Sequence, residues 1–137
     1  MKKHFILNEN ELEKLIKELP KSGVIILQGD LASGKTTLCK QIANFLGKSA
    51  QLTSPTFALM QDYGELYHYD LYRTNNAQIM ANGLFENFFE DGLHLVEWGD
   101  DELIKMLLKY EISVCVVKIA PVSGDKRSYE LDLSNAH

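Results

Sequence analysis

Cysteine is scarce in this chain: Cys39 and Cys115 stand far apart, with no CxxC pair and no neighbouring Cys/His spacing. That excludes a disulfide framework and a local zinc ribbon, and both read as packed thiols. No apolar run approaches the roughly 20 residues needed to cross a bilayer. The opening Met-Lys-Lys-His-Phe-Ile-Leu-Asn gives way to charged residues before any signal-peptide core develops. The expectation is a cytoplasmic protein with no membrane partner. Basic residues are short too: 14 Lys and Arg stand against 19 Asp and Glu, for a net charge of −5, and they are scattered rather than clustered. The electrostatic footprint of an autonomous nucleic-acid binder is therefore missing, and any nucleic acid in its function is expected on another subunit. Repeats, linkers and low-complexity segments are absent as well.

What is present is ordinary globular composition, 45% hydrophobic and 24% charged over 137 residues, read as one domain spanning 1–137. Within it, Gly29-Asp30-Leu31-Ala32-Ser33-Gly34-Lys35-Thr36 fills the pattern GxxxxGK[ST], after the apolar run Val24-Ile25-Ile26-Leu27 and before a helical stretch. Backbone N–H groups in such a turn form an anion-binding nest, and the start of the next helix adds partial positive charge. Asp30, Leu31, Ala32, Ser33 and Gly34 line this cradle, Lys35 reaches the outer phosphates, Thr36 is placed to ligate Mg²⁺, and Thr37 stands at the edge. The expected cofactors are ATP and Mg²⁺.

Leu12, Leu15, Ile16 and Leu19 recur at helical spacing after Asn8 as N-cap, with Glu11 three residues on and Pro20 as the stop. An amphipathic helix is expected to open the chain. Val24 to Leu27 reads as a buried strand and Lys35 to Leu46 as a helix. Thr56 to Asp62 and Glu65 to Asp70 read as two strands around Tyr63-Gly64. Asn75 to Phe89 is mainly helical with a break near Gly83, Leu93 to Val96 is a strand ending at Glu97, and a helix follows from about Asp100 to Leu108. Ile112 to Ile119 and Ser128 to Leu133 close the chain as a hairpin. Helices alternating with buried strands predict an α/β sandwich with a mainly parallel central sheet and antiparallel edge strands. Ligands in such sheets sit at the carboxyl ends of the strands, where Gly29, Asp70 and Glu97 all fall.

Glu97 ends its strand as a metal-binding carboxylate does, and Asp70 is placed to bind metal or orient water. His68 and Asp70, two apart on one strand face, have a spacing that suits Zn²⁺, but no third His or Cys ligand accompanies them. Arg73 either stabilises phosphoryl charge or pairs with Asp70 and fixes the loop. Trp98, the sole tryptophan, follows Glu97 and is expected near the pocket or in the adjoining core.

Four segments now stand in order: Gly29 to Thr37, Ser54-Pro55-Thr56-Phe57, Tyr67-His68-Tyr69-Asp70-Leu71-Tyr72-Arg73, and Leu95-Val96-Glu97-Trp98. The series resembles the bacterial TsaE family, small ATPases of tRNA threonylcarbamoyladenosine synthesis, over most of the chain. The resemblance implies a P-loop NTPase fold and an ATPase that works with the TsaD and TsaB proteins, which transfer the threonylcarbamoyl group to the adenosine beside the anticodon. Transfer RNA would be met only through that complex. Carried over by motif, Lys35, Asp70 and Glu97 are catalytic, and Thr36, Asp70 and Glu97 hold Mg²⁺. Thr53 to Thr56 form a switch-like segment, and Asn8 and Arg127 approach the adenine. Ala32 departs from the family's usual Gly; if that position needs positive φ, its Cβ costs roughly 1 to 2 kcal/mol.

Two other classes share the loop. A small-molecule kinase needs an acceptor pocket and an Arg-bearing lid, for which little sequence is spare. A non-catalytic nucleotide sensor needs only the binding site. Against a GTPase, neither an NKxD base-recognition motif nor DxxG is present.

Overall fold

In the computed structural model the described residues are 1–30, 34–47 and 59–137. The readings made on Leu31, Ala32 and Ser33, on the Thr53–Thr56 switch segment and on the start of the Thr56 strand lie outside them.

The chain opens on a strand, β1 (Lys2–Leu7), rather than on the expected helix. Its residues alternate outward and inward, with Lys2, His4 and Ile6 exposed, and it pairs antiparallel with the last strand. The predicted helix follows in reduced form, as a 3-10 turn (Glu9–Glu11) and a single turn α1 (Glu13–Ile16). Its apolar stripe nonetheless points inward, since Leu12, Leu15, Ile16 and Leu19 are all buried. The capping box forms as read: Asn8 Oδ1 accepts from Asn10 N–H at 3.0 Å, and Asn8 N–H donates to Glu11 Oε1 at 3.1 Å.

The remaining elements follow the sequence pattern closely. They are β2 (Gly23–Gln28), α2 (Lys35–Phe45), β3 (Met60–Asp62), β4 (Leu66–Asp70), α3 (Asn76–Ala81), a 3-10 stretch (Leu84–Phe89), β5 (Leu93–Glu97), α4 (Asp101–Lys109), β6 (Val114–Pro121) and β7 (Arg127–Asn135). Gly83, at φ +80°, makes the break inside the 75–89 segment. Among the described residues the sheet has seven strands in the order β1-β7-β6-β2-β5-β4-β3. The centre is parallel, β6-β2-β5-β4, and both flanks are antiparallel, β1-β7-β6 on one side and β4-β3 on the other.

Period-two alternation along the central strands feeds two cores. Ile25 and Leu27 of β2 pack with Leu15 and Ile16 of α1 and Leu38 and Ile42 of α2. Val24 and Ile26 face the other way, toward Ile79, Phe85, Phe88, Leu103 and Leu107 from α3, the 3-10 stretch and α4. A strand buried on both faces reads as a continuous apolar run, as Val24 to Leu27 does. No described helix is long and apolar enough to cross a membrane.

The register aligns the strand ends: β4 pairs Asp70 with Glu97 of β5, and β5 pairs Glu97 with Leu27 of β2. At the opposite end, Gly92 stands at φ +126°, where an added Cβ would lie 2.5 Å from the Glu65 carbonyl oxygen. That close approach lets Leu93 N–H bond Glu65 O at 2.9 Å and Gly23 N–H bond Gly92 O at 3.0 Å, locking β5 between β4 and β2. Gly92→Ala is expected to destabilise the protein by about 2 kcal/mol or more, read as a lower urea midpoint with an unchanged slope; a wild-type midpoint would contradict the packing at this joint.

Candidate functional site

Gly34 is the N-cap residue of helix α2, and its φ of +106° is one that only glycine adopts readily. Arg127, the first residue of β7, lies against it: a Cβ on Gly34 would come within 3.2 Å of the Arg127 Nε. Lys35 is the next residue and is 4% exposed, an unusual state for a lysine. Its Nζ donates to the carbonyls of Gly29 at 2.6 Å and Asp30 at 2.8 Å, and lies 4.0 Å from the centre of the Trp98 ring. Burial lowers its pKa, against the opposing pull of the Glu97, Asp30 and Asp70 carboxylates. The ammonium is therefore held by backbone oxygens and an aromatic face at the mouth of the loop.

Glu97 is the centre of the site and is almost wholly buried. Thr36 Oγ1 donates to its Oε1 at 2.8 Å, and His68 Nε2 donates to its Oε2 at 2.6 Å. A buried carboxylate is tolerable only when its oxygens are satisfied, and here both are engaged. The interaction joins the first turn of α2 to the ends of β4 and β5. His68 thus positions Glu97, a role the sequence reading did not assign. The available signal was its placement two residues before Asp70, on the same face of β4.

Asp70 is half-buried, and its Oδ1 accepts from Tyr72 N–H at 3.1 Å. Leu71 N–H donates to the Glu97 carbonyl at 3.1 Å, so the loop after β4 is tied to the end of β5. Arg73 is exposed and makes no ion pair with Asp70 among the described residues, so the loop-fixing pair expected for it does not form; the Asp70 turn and the Leu71 bond fix that loop instead. Asp30 is exposed and enters the site through its carbonyl. Thr37 is half-buried in the first turn of α2. Asn8 follows Leu7, which registers with Arg127, so the two residues read as base contacts share one corner beside Gly34.

Trp98 packs its ring 4.7 Å from that of Tyr72 and presents a face to Lys35. Its backbone sits at φ +67°, in the left-handed region that bulky side chains avoid. Such outliers persist where the surroundings over-determine them, and they cluster at working sites. Cys39, one helical turn beyond Lys35, is fully buried, and desolvation, with the Glu97 and Asp70 charges, pushes its thiol pKa up.

A family profile described as "Threonylcarbamoyl adenosine biosynthesis protein TsaE" matches residues 6–128. Proteins named "tRNA threonylcarbamoyladenosine biosynthesis protein TsaE" are similar over most of the chain. That of Rickettsia felis is 40% identical over 110 residues, covering 74% of this chain and 63% of its own, and that of Bacillus subtilis is 39% identical over 114 residues, covering 80% and 70%. The match spans under two thirds of the R. felis protein, and 64% of its Rickettsia conorii counterpart. Among solved structures, the crystal structure of Bacillus subtilis YdiB superposes with a TM-score of 0.67 at 30% identity, covering 98% of this chain and 89% of that one.

The left-handed backbone at position 98 has a measurable signature. Trp98→Gly is expected to be more stable than Trp98→Ala by about 1 kcal/mol, reversing the usual order, because glycine alone adopts this φ without strain. Thermal or urea melts of the two variants check it, and an Ala variant as stable as the Gly one would contradict the assignment.

Proposed function

The chain belongs to the TsaE family of tRNA threonylcarbamoyladenosine biosynthesis, and from that premise we propose that it is a Mg²⁺-dependent ATPase on a P-loop NTPase fold. The observation that carries the reading is the 2.8 Å bond from Thr36 Oγ1 to Glu97 Oε1. It brings two hard oxygen donors together at the carboxyl end of a central strand, directly after a GxxxxGK[ST] loop. The same donor set fits Mg²⁺, which takes few protein ligands beside phosphate oxygens. Thr36 and Glu97 would hold the ion, with Asp70 as a third carboxylate registered beside Glu97. When bound, Mg²⁺ neutralises charge on the phosphates.

The chain's own residues then divide the work. Lys35 exchanges the Gly29 and Asp30 carbonyls for phosphate oxygens, a transfer eased because its ammonium is already stripped of most of its water. His68 keeps the Glu97 carboxylate oriented toward Thr36. Asp70, half-buried at the neighbouring strand end, faces solvent enough to accept a hydrogen bond from the attacking water. By the loop motif, Asp30, Leu31, Ala32, Ser33, Gly34 and Thr37 would belong to the cradle, and Asn8 and Arg127 would flank the base from their shared corner.

The hydrolysis would serve a complex with the TsaD and TsaB proteins in the cytoplasm. The net charge of −5 supports contact with tRNA through those partners rather than directly. Hydrolysis measured for the chain alone, then with TsaD, TsaB and tRNA, is expected to rise on assembly; phosphoryl transfer to a metabolite faster than to water would replace the ATPase with a kinase. Lys35→Ala is expected to weaken ATP binding in calorimetry. Glu97→Ala is expected to retain nucleotide binding while lowering turnover by about 100-fold or more, the scale of losing one aligned electrostatic group. Unchanged turnover would remove Glu97 from the catalytic set.

A further inference from the structure

Behind the Thr36–Glu97 contact lies a cluster in which His68 and Glu97 meet a side chain the hydrolysis does not use, Cys39. Cys39 of α2, His68 of β4 and Glu97 of β5 bring Sγ, a ring nitrogen and a carboxylate oxygen within 4.8 Å of one another. All three side chains are buried. In the sequence each stands 29 residues from the next, which is why His68 had no third soft ligand nearby. The fold supplies one. Helix α2 turns Cys39 inward onto the sheet, one turn after Lys35, and the parallel β4–β5 pairing brings His68 and Glu97 together.

His68 also has a ring nitrogen to spare. His68 Nδ1 is buried and has no hydrogen-bond partner, the sole such side-chain atom among the described residues. An orphaned polar atom in a dry site is costly, and native structures keep few of them without a reason.

We propose that Cys39, His68 and Glu97 form an inhibitory Zn²⁺ site, whose occupation withdraws Glu97 from the phosphate-binding loop. Thiolate, imidazole and carboxylate are the donors Zn²⁺ takes, in sites of three protein ligands with a water or hydroxyl as the fourth. Mg²⁺, which demands oxygen ligands in octahedral array, has no use for Cys39 or His68. The two ions compete for Glu97, because turning its carboxylate onto Cys39 and His68 takes it off Thr36. On binding, the Cys39 thiol proton leaves to solvent, the His68–Glu97 hydrogen bond opens so that both side chains turn to the ion, the imidazole keeps a single N–H, and no oxidation or reduction takes place.

The inhibition rests on the ATPase reading; the binding does not, and the two are tested apart. The full chain, reduced and stripped of metal, is titrated with Zn²⁺ by calorimetry and with Co²⁺ by absorption, without nucleotide. One ion per chain is expected, with a thiolate-to-cobalt charge-transfer band. Cys39→Ala and Cys39→Ser lose that band and about 10-fold or more in Zn²⁺ affinity, at least the loss typical of outer-shell partners. Cys115→Ala keeps both. Where ATP hydrolysis is measurable, Zn²⁺ inhibits the wild type competitively with Mg²⁺, and Cys39→Ala resists inhibition while its rate with Mg²⁺ and no Zn²⁺ is unchanged. Co²⁺ binding without a thiolate band, or wild-type Zn²⁺ affinity in Cys39→Ala, overturns the site. Binding without inhibition overturns only its regulatory role.

Discussion

The Glu97 carboxylate is the point on which this structure turns. It is buried, so its charge must be met by partners, and both partners come from elsewhere in the chain: Thr36 from the start of α2 and His68 from β4. Neither contact exists unless β2, β4 and β5 run parallel with their carboxyl ends level. The register delivers that alignment, and Gly92 permits it by letting the other end of β5 close tightly on Glu65. The two cores serve the same end, because α1 and α2 on one face and α3 and α4 on the other hold the central strands flat against lateral slip.

Lys35 shows how the surroundings ready a group for its task. Its ammonium is desolvated, hydrogen-bonded to two carbonyls and seated on the Trp98 ring. Trp98 reaches that position through a left-handed backbone, so local strain is the condition for the aromatic seat. The carboxylates of Glu97, Asp30 and Asp70 offset part of what burial does to the lysine. Charge, packing and backbone geometry are thus set against one another within a few residues of the loop.

Much of this was legible in the sequence because it was local. The 3.6-residue stripe of Leu12 to Leu19, the break at Gly83, the Asn8 capping box and the closing hairpin all rest on neighbours in the chain. The opening strand was not legible, since Lys2 to Leu7 is short, half-polar and meaningful only against β7. The helix after it shortened for the same reason: its stripe needed only to be buried, and one helical turn flanked by turns achieved that. In the site, the loop and the two strand-end carboxylates could be read from pattern. The convergence of Cys39, His68 and Glu97 could not, because equal steps of 29 residues carry no local signal and only the sheet register brings them together. Arg73, read as either a stabiliser of phosphoryl charge or a partner of Asp70, stands exposed and unpaired with Asp70 where the Asx turn already fixes the loop.

The pairing of β1 with β7 joins Lys2 to Asp132, from opposite ends of the sequence, and Met1 O accepts from Leu133 N–H at 2.8 Å. As the chain is made, β1 emerges before the other strands of this sheet and has no partner until β7 follows them all. The parallel centre also waits, since β2 pairs with β5 and β6 from much later in the chain, but this flank closes a still longer loop and pays its entropy last. The corner where Asn8 and Arg127 stand beside the loop is therefore the final part of the site to exist, and a nascent chain has the glycines of its GxxxxGK[ST] loop well before it has that corner.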